Sequence, residues 1–438
     1  MKSRRYTRGK QSVSTGVREA WEPPRFLTDA TRAIRMGMIR SLGLAGVGLA
    51  LFAGGCGAQA GADLVVSSDP VLRELAAALL PDLAERSGME LRGPVRLETR
   101  SREELVRYLK AKLDEKLPQD EADARVDAYA LLGLVPPELD LRAVLLELYT
   151  EQVAGFYEPE SATLFVLDDQ PAEAVQALLV HELVHAIQDQ NTDLNALTDS
   201  SLGNDRATAA QAAIEGHATL VMLEYMTEQM TGAPVDLGEI PDFAAQLRPA
   251  LEAMTSQFPA LASAPRVIRE SLLFPYVEGA GFVQGLWSHG ERVAPFGDAL
   301  PESTEQILRR GDGAPPIELE LSVEGASIAL EDVLGRFELG ILLQEVVGAN
   351  RGWLADGWDG DRYALVEEPD GTRSLVSFVI WERSEQRDRF ADAVVSSASR
   401  FGGEVEMERV QIAGRPATVL KIGVGDGVTV SATEIRRR

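Results

Sequence analysis

A chain of 438 residues, 45% of them apolar, has the length for one large or two ordinary domains and the apolar content to bury a core. Its formal charge of −25 is unevenly spread, because residues 1–55 carry ten Lys/Arg against three Asp/Glu and leave −32 on the rest. The acidic body excludes nucleic acid as an expected partner, since phosphate binding needs a basic surface, and a single cysteine excludes an internal disulfide framework.

Residues 1–35 are polar and Arg-rich and contain Pro23-Pro24. They read as a disordered cytoplasmic leader, or as sequence upstream of a true start at Met36 or Met38. Met38-Ile-Arg40 then leads into the apolar run Ser41 to Phe52 and on to Ala53-Gly54-Gly55-Cys56. A basic flank, an apolar core too short for a comfortable membrane span, and small residues before a cut form the layout of a secretory signal. Residues 36–55 resemble a bacterial lipoprotein signal peptide, although Ala53 stands where leucine is more usual. The resemblance implies that Cys56 becomes a lipid-bearing N-terminus. It further implies an extracytoplasmic protein anchored to a bacterial cell membrane through that lipid.

The following stretch opens with helices. Ser68-Asp69-Pro70 is a helix start with proline at the first position, and Leu72, Leu75, Leu79 and Leu83 follow at core spacing. Ser101 and Glu104 form a capping box for a helix reaching about Leu117. Further helical patterns cover about 121–132 and 140–152. This opening segment is expected to be all-helical and to carry no chemistry of its own. Val153 to Leu167 reads as two short strands around a turn at Glu158 to Ser161. A strand edge there suits an extended peptide added as a further strand, and a plain hairpin buttressing the next helix fits equally.

That next helix contains Leu178-Leu-Val-His181-Glu182-Leu-Val-His185. Ala174, Leu178, Leu179, Leu183 and Ile187 recur at helical spacing. His181 and His185 are four apart and project from one face, a turn apart. Two neutral imidazoles so placed can hold Zn²⁺, and the adjacent Glu182 can take a proton from a water activated by the ion. Zinc in a hydrolytic site needs a third protein ligand and one open position. Glu215 in Ala213-Ile-Glu215-Gly216-His217 lies thirty residues after His185, on a second helix from about Asp205 to Met230. A loop and an antiparallel return bring it back to the ion, and Gly216 permits close approach of the two helices. Asp189 and His217 are competing donors, but Asp189 reads as a nearby polar group and His217 points about the opposite way from Glu215.

His181-Glu182-x-x-His185 followed by Glu215 resembles the gluzincin, or thermolysin-like, zinc metallopeptidases. Matched residue by residue, the resemblance implies His181, His185 and Glu215 as zinc ligands and Glu182 as general base. The metzincin pattern fails, because Gln188 and Asn191 stand where it requires Gly and His. Thr219 replaces the aspartate that usually supports a zinc histidine four residues after the glutamate. Tyr276-Val-Glu-Gly279 resembles the Tyr-x-x-Gly segment of gluzincin aminopeptidases, which implies a phenol that stabilises the oxyanion. A buried tyrosine ahead of a glycine helix contact fits the same residues. His289 is a second candidate for that role, or a helix C-terminal cap.

The resemblance covers about 140–290. Beyond it, Pro301 to Leu308 reads as a short capped helix, and a second helical stretch runs from about Leu330 to Val347. The Gly352 to Tyr363 segment has no EF-hand spacing and reads as a tight loop with two packed tryptophans. Strands at about 363–367, 374–381, 404–412 and 416–423, with a helix from Ser384 to Arg400, suggest a small α+β lobe.

The expected fold is therefore α+β and mainly helical. It comprises a zincin-like metallopeptidase core with N-terminal helices over 64–300 and a C-terminal α+β lobe over 301–438. The expected activity is zinc-dependent hydrolysis of a peptide or protein substrate, with catalytic Glu182 and Tyr276. A catalytically inactive zincin-fold scaffold for envelope partners is the alternative, and hydrolysis of non-peptide envelope material a third.

Overall fold

The computed structural model describes residues 64–435 apart from positions 242, 256 and 289. The leader, the signal segment, Cys56, His289 and the arginine tail at 436–438 lie outside the described residues. The fold is α+β, and helices dominate it, at about 52% of residues against 19% in strands. Among the described residues no helix is long and apolar enough to cross a membrane.

The first half runs β1 (Val65–Val66), α1 (Pro70–Ser87), β2 (Val95–Arg100), α2 (Arg102–Lys116), α3 (Gln119–Leu131), α4 (Leu141–Gln152), β3 (Gly155–Glu158), β4 (Thr163–Leu167) and α5 (Ala172–Asn191). Helix α1 starts where the Asp69 carboxylate accepts the Val71 and Leu72 N–H groups, and it ends at Gly88 in the left-handed region. The Ser101–Glu104 box is formed at the head of α2. The opening segment is not all-helical. β2 alternates buried and exposed residues and pairs in parallel with β1 and with β4. Its partner β4 lies some seventy residues onward, so the pairing is tertiary and leaves only a six-residue alternation in the local sequence. The sheet order is β1-β2-β4-β3, which places β3 at the edge, antiparallel to β4.

Helix α5 is buried from Ala177 to Gln188, with Leu178, Leu179, Leu183 and Ile187 inaccessible to solvent. It presses on β3, where a Cβ on Gly155 would lie 2.9 Å from the Leu178 side chain. Helix α6 (Asn204–Thr231) is 28 residues long, roughly 42 Å at the usual rise. Helix α7 (Arg266–Trp287) crosses it backbone to backbone. A Cβ on Gly216 would lie 2.0 Å from the Gly279 carbonyl carbon, and one on Gly279 would lie 2.0 Å from the Ala212 oxygen. Gly216 thus opens a close approach to α7, not to the histidine helix as expected.

After a short helix Thr304–Leu308, capped by Ser303, come β5 (Leu319–Glu324), β6 (Ser327–Asp332), α8 (Gly335–Val346), β7 (Trp358–Glu367), β8 (Arg373–Trp381), α9 (Ser384–Ser396), β9 (Val405–Ile412), β10 (Arg415–Ile422) and β11 (Thr429–Glu434). A five-stranded antiparallel sheet has the order β6-β7-β8-β10-β9, and β5 pairs with β11 beside it. Three expectations change here. The helix expected from Leu330 begins at Gly335, because Ser327–Asp332 pairs with β7. The strand expected from 363 begins at Trp358, which is buried, while Trp353 is 44% exposed, so one of the two tryptophans expected to pack in this segment does. Helix α9 stops at Ser396, and Ala398–Arg400 form a separate turn.

A buried polar joint fastens this sheet to the helical part. Arg125 of α3 donates to Asp332 at 2.9 Å, and the Asn204 N–H donates to the same carboxylate at 2.9 Å. Tyr129 donates to Glu338 at 2.8 Å. Asp205, at the start of α6, accepts from the Thr304 N–H and hydroxyl. Asp361 accepts from Leu334 N, Gly335 N and the Trp358 indole. Each of these carboxylates is buried and hydrogen-bonded.

Candidate metal centre

Three elements supply the site. Helix α5 brings His181, Glu182 and His185, helix α6 brings Glu215, and helix α7 brings Tyr276. His181 Nε2 and His185 Nε2 stand 3.0 Å apart, and Glu215 Oε2 lies 3.1 Å from the first and 3.4 Å from the second. Four donors in a tetrahedron around Zn²⁺, each about 2.0–2.1 Å from it, stand roughly 3.3–3.4 Å from one another. The observed triangle is therefore close to the face of such a tetrahedron. Among the described residues, His181, His185 and Glu215 are the one group of three His, Cys, Asp or Glu close enough to hold an ion. All three are buried, as is Glu182. Two imidazoles and a carboxylate are a donor set suited to zinc.

Electrostatics prepares the centre for a cation. Burial lowers the His181 imidazole to about 4, which keeps it neutral and its lone pair free. Burial pushes Glu215 up, but the two neighbouring histidines outweigh it and hold the carboxyl at about 2. Glu182 goes the other way. Burial and then the charge of Glu215 raise it well above the usual carboxylate range, with the Tyr157 N–H opposing them. That N–H donates to Glu182 Oε2 at 2.9 Å from edge strand β3, while Oε1 has no protein partner. Tyr276 is 5% exposed, with its ring centroid 6.2 Å from that of His181. The Gly279 contact one turn onward draws α7 close enough to α6 to put it there.

The competing donors go elsewhere. Asp189 accepts the Tyr157 hydroxyl at 2.8 Å. His217 sits against Trp287 and Phe296, away from the triangle, with its Nε2 3.0 Å from the Ser87 carbonyl oxygen. Thr219, in the place of the usual supporting aspartate, leaves its hydroxyl without a protein partner, and so does Nδ1 of His181. Support comes instead to His185, from Gln188 at 2.8 Å. Sequence reasoning passed over Gln188. The signal available was its spacing, three residues after His185 and hence on the same helix face.

The profile of a domain of unknown function, DUF8575, matches residues 326–434. This segment contains the five-stranded sheet with α8 and α9, and none of His181, Glu182, His185, Glu215 or Tyr276. No curated protein and no solved structure matches the chain.

Proposed function

We propose that this chain is a zinc-dependent peptidase of gluzincin type, with a zincin-like core, lipid-anchored outside the cytoplasm of a bacterial cell. The observation that carries the reading is a buried triangle of three donors beside a carboxylate with one oxygen unpartnered. Structural zinc sites normally have four protein ligands, whereas hydrolytic ones keep three and leave a corner for the reaction. Bound there by His181, His185 and Glu215, Zn²⁺ supplies Lewis-acid activation of a water and of the scissile carbonyl.

The chain's own groups do the rest. The Tyr157 N–H holds Glu182 through Oε2, so Oε1 is the oxygen that takes the proton of the attacking water and returns it to the leaving nitrogen. Glu182, raised by burial and by the charge of Glu215, would serve as a base once a cation held by His181, His185 and Glu215 offset that repulsion. Tyr276, whose ring centroid lies 6.2 Å from that of His181, would donate its hydroxyl to the developing oxyanion. β3 is an edge strand next to Glu182, and its Tyr157 N–H is given to that carboxylate, so a peptide added there would pair with the remaining edge groups of the strand.

Complete burial of the donors favours a second reading, a zinc-stapled scaffold without turnover, because a hydrolytic site must admit its substrate to the open corner of the ion. The deciding experiment measures metal content of the purified chain and cleavage of a peptide library by wild type and Glu182→Gln. The peptidase reading expects bound zinc in both and cleavage in wild type alone. Zinc without cleavage in either supports the scaffold, and equal cleavage by the two removes Glu182 from the mechanism.

A further inference from the structure

We infer that Gln188 and His217 form a positioning relay that fixes the tautomer of His185 and presents its Nε2 lone pair to the cation. The inference rests on the metal reading above, but its geometry is separate from it. Gln188 Nε2 lies 3.0 Å from the Ile214 carbonyl oxygen and 3.0 Å from His217 Nδ1, and Gln188 Oε1 lies 2.8 Å from His185 Nδ1. His217 Nε2 lies 3.0 Å from the Ser87 carbonyl oxygen. Every member of the chain is buried.

The directions follow from the two ends. A backbone carbonyl only accepts, so the Ile214 oxygen requires the NH₂ end of the Gln188 amide. The usual ambiguity between amide oxygen and nitrogen is thereby removed. The same nitrogen then donates to His217 Nδ1, which must be an acceptor. His217 accordingly carries its proton on Nε2 and gives it to the Ser87 carbonyl. The amide oxygen, left facing His185, accepts from Nδ1–H. His185 Nε2 therefore has no proton and faces His181 and Glu215.

The anchors come from the fold. Ser87 is the last residue of α1, where carbonyls have lost their helical partners, and the left-handed turn at Gly88 ends the helix there. Ile214 lies one residue before the ligand Glu215, so one amide ties both metal-binding helices together. His181 has no matching support, and the weight of orienting an imidazole falls on this relay.

The test uses the full chain and has two readouts. First, imidazole ¹⁵N NMR of the metal-free wild type, which has only four histidines, should show His185 protonated on Nδ1 and His217 on Nε2. The opposite tautomer at His185 would overturn the relay, and this measurement needs no variant to fold. Second, Zn²⁺ affinity is measured by chelator competition for wild type, Gln188→Leu and His217→Phe, with circular dichroism checking the fold. Folded Gln188→Leu should bind ten- to hundredfold more weakly and lose the single His185 tautomer. His217→Phe should bind more weakly than wild type and more tightly than Gln188→Leu. Wild-type affinity in Gln188→Leu sinks the inference. If wild type takes up no zinc, the metal reading is what falls, and the imidazole spectrum still decides the relay.

Discussion

Substituting Gly279 by alanine tests how the centre is assembled. At the α6–α7 crossing the new Cβ would lie 2.0 Å from the Ala212 oxygen, 2.8 Å from its carbonyl carbon and 3.1 Å from its Cα. These are backbone atoms of a packed helix and cannot rotate aside. Ordinary contact begins at 3.4 Å, so the axes must part by about 1.4 Å at this point. Overpacking of this kind costs about 1–3 kcal/mol, a fall in Tm of roughly 2–12 °C at about 2–4 °C per kcal/mol. Metal–ligand distances tolerate only about 0.2 Å. Parting the helices moves Glu215 off the imidazoles or Tyr276 off His181, and the prediction is a loss of zinc affinity or of turnover beyond the stability loss. Calorimetry with zinc competition measures both, and Gly93→Ala, where a Cβ meets nothing within 4 Å, is the control. A Gly279→Ala protein that melts and binds zinc like wild type would refute this account of the crossing.

Three further outcomes are expected. Tyr276→Phe should keep zinc affinity and lose about 10²–10³ in kcat, and an unchanged kcat in peptide hydrolysis would remove the tyrosine from the site. Chelation should lower Tm in a manner that added zinc reverses, since zinc at a hundredfold over its Kd adds about 2.7 kcal/mol; a Tm indifferent to both argues against a resident ion. Burial raises Asp205 and Glu338 to about 7 and Asp361 to about 6, above their unfolded values. Groups shifted upward give stability that is complete below about pH 4 and lost as pH rises through 6–7. Glu338→Gln, which keeps an acceptor for Tyr129, should therefore gain on wild type by up to about 1.4 kcal/mol per pH unit over that window. Urea melts at pH 5 and pH 8 measure the gain, and parallel curves would contradict it.

The sequence is legible where the physics is local. The Asp69-Pro70 and Ser101–Glu104 caps, the β3–β4 hairpin and the faces of α5 and α6 all depend on neighbours within a few residues, and each was placed. The convergence of His181, His185 and Glu215 was legible because helical spacing and chemical type restrict where three donors can meet. Strand β2 was not, since its alternation acquires meaning only from β4. The contact partner of Gly216 was mistaken for the same reason: a glycine announces a close approach and does not say to what. Gln188 and His217 were passed over as members of a relay because an amide reveals its direction only through the carbonyls around it.

The joint between the sheet and α3 bears on how portable residues 326–434 are. Asp332 belongs to that segment, while Arg125 and Asn204, which share its carboxylate, do not. Replacing Asp332 by alanine would leave a guanidinium that is 1% exposed without this counter-ion, and losses of this sort run to about 3–5 kcal/mol. In this molecule the segment is a keystone rather than an appendage. Separated from the rest of this chain, the segment would have to give the Asp332 carboxylate to water in place of Arg125 and Asn204.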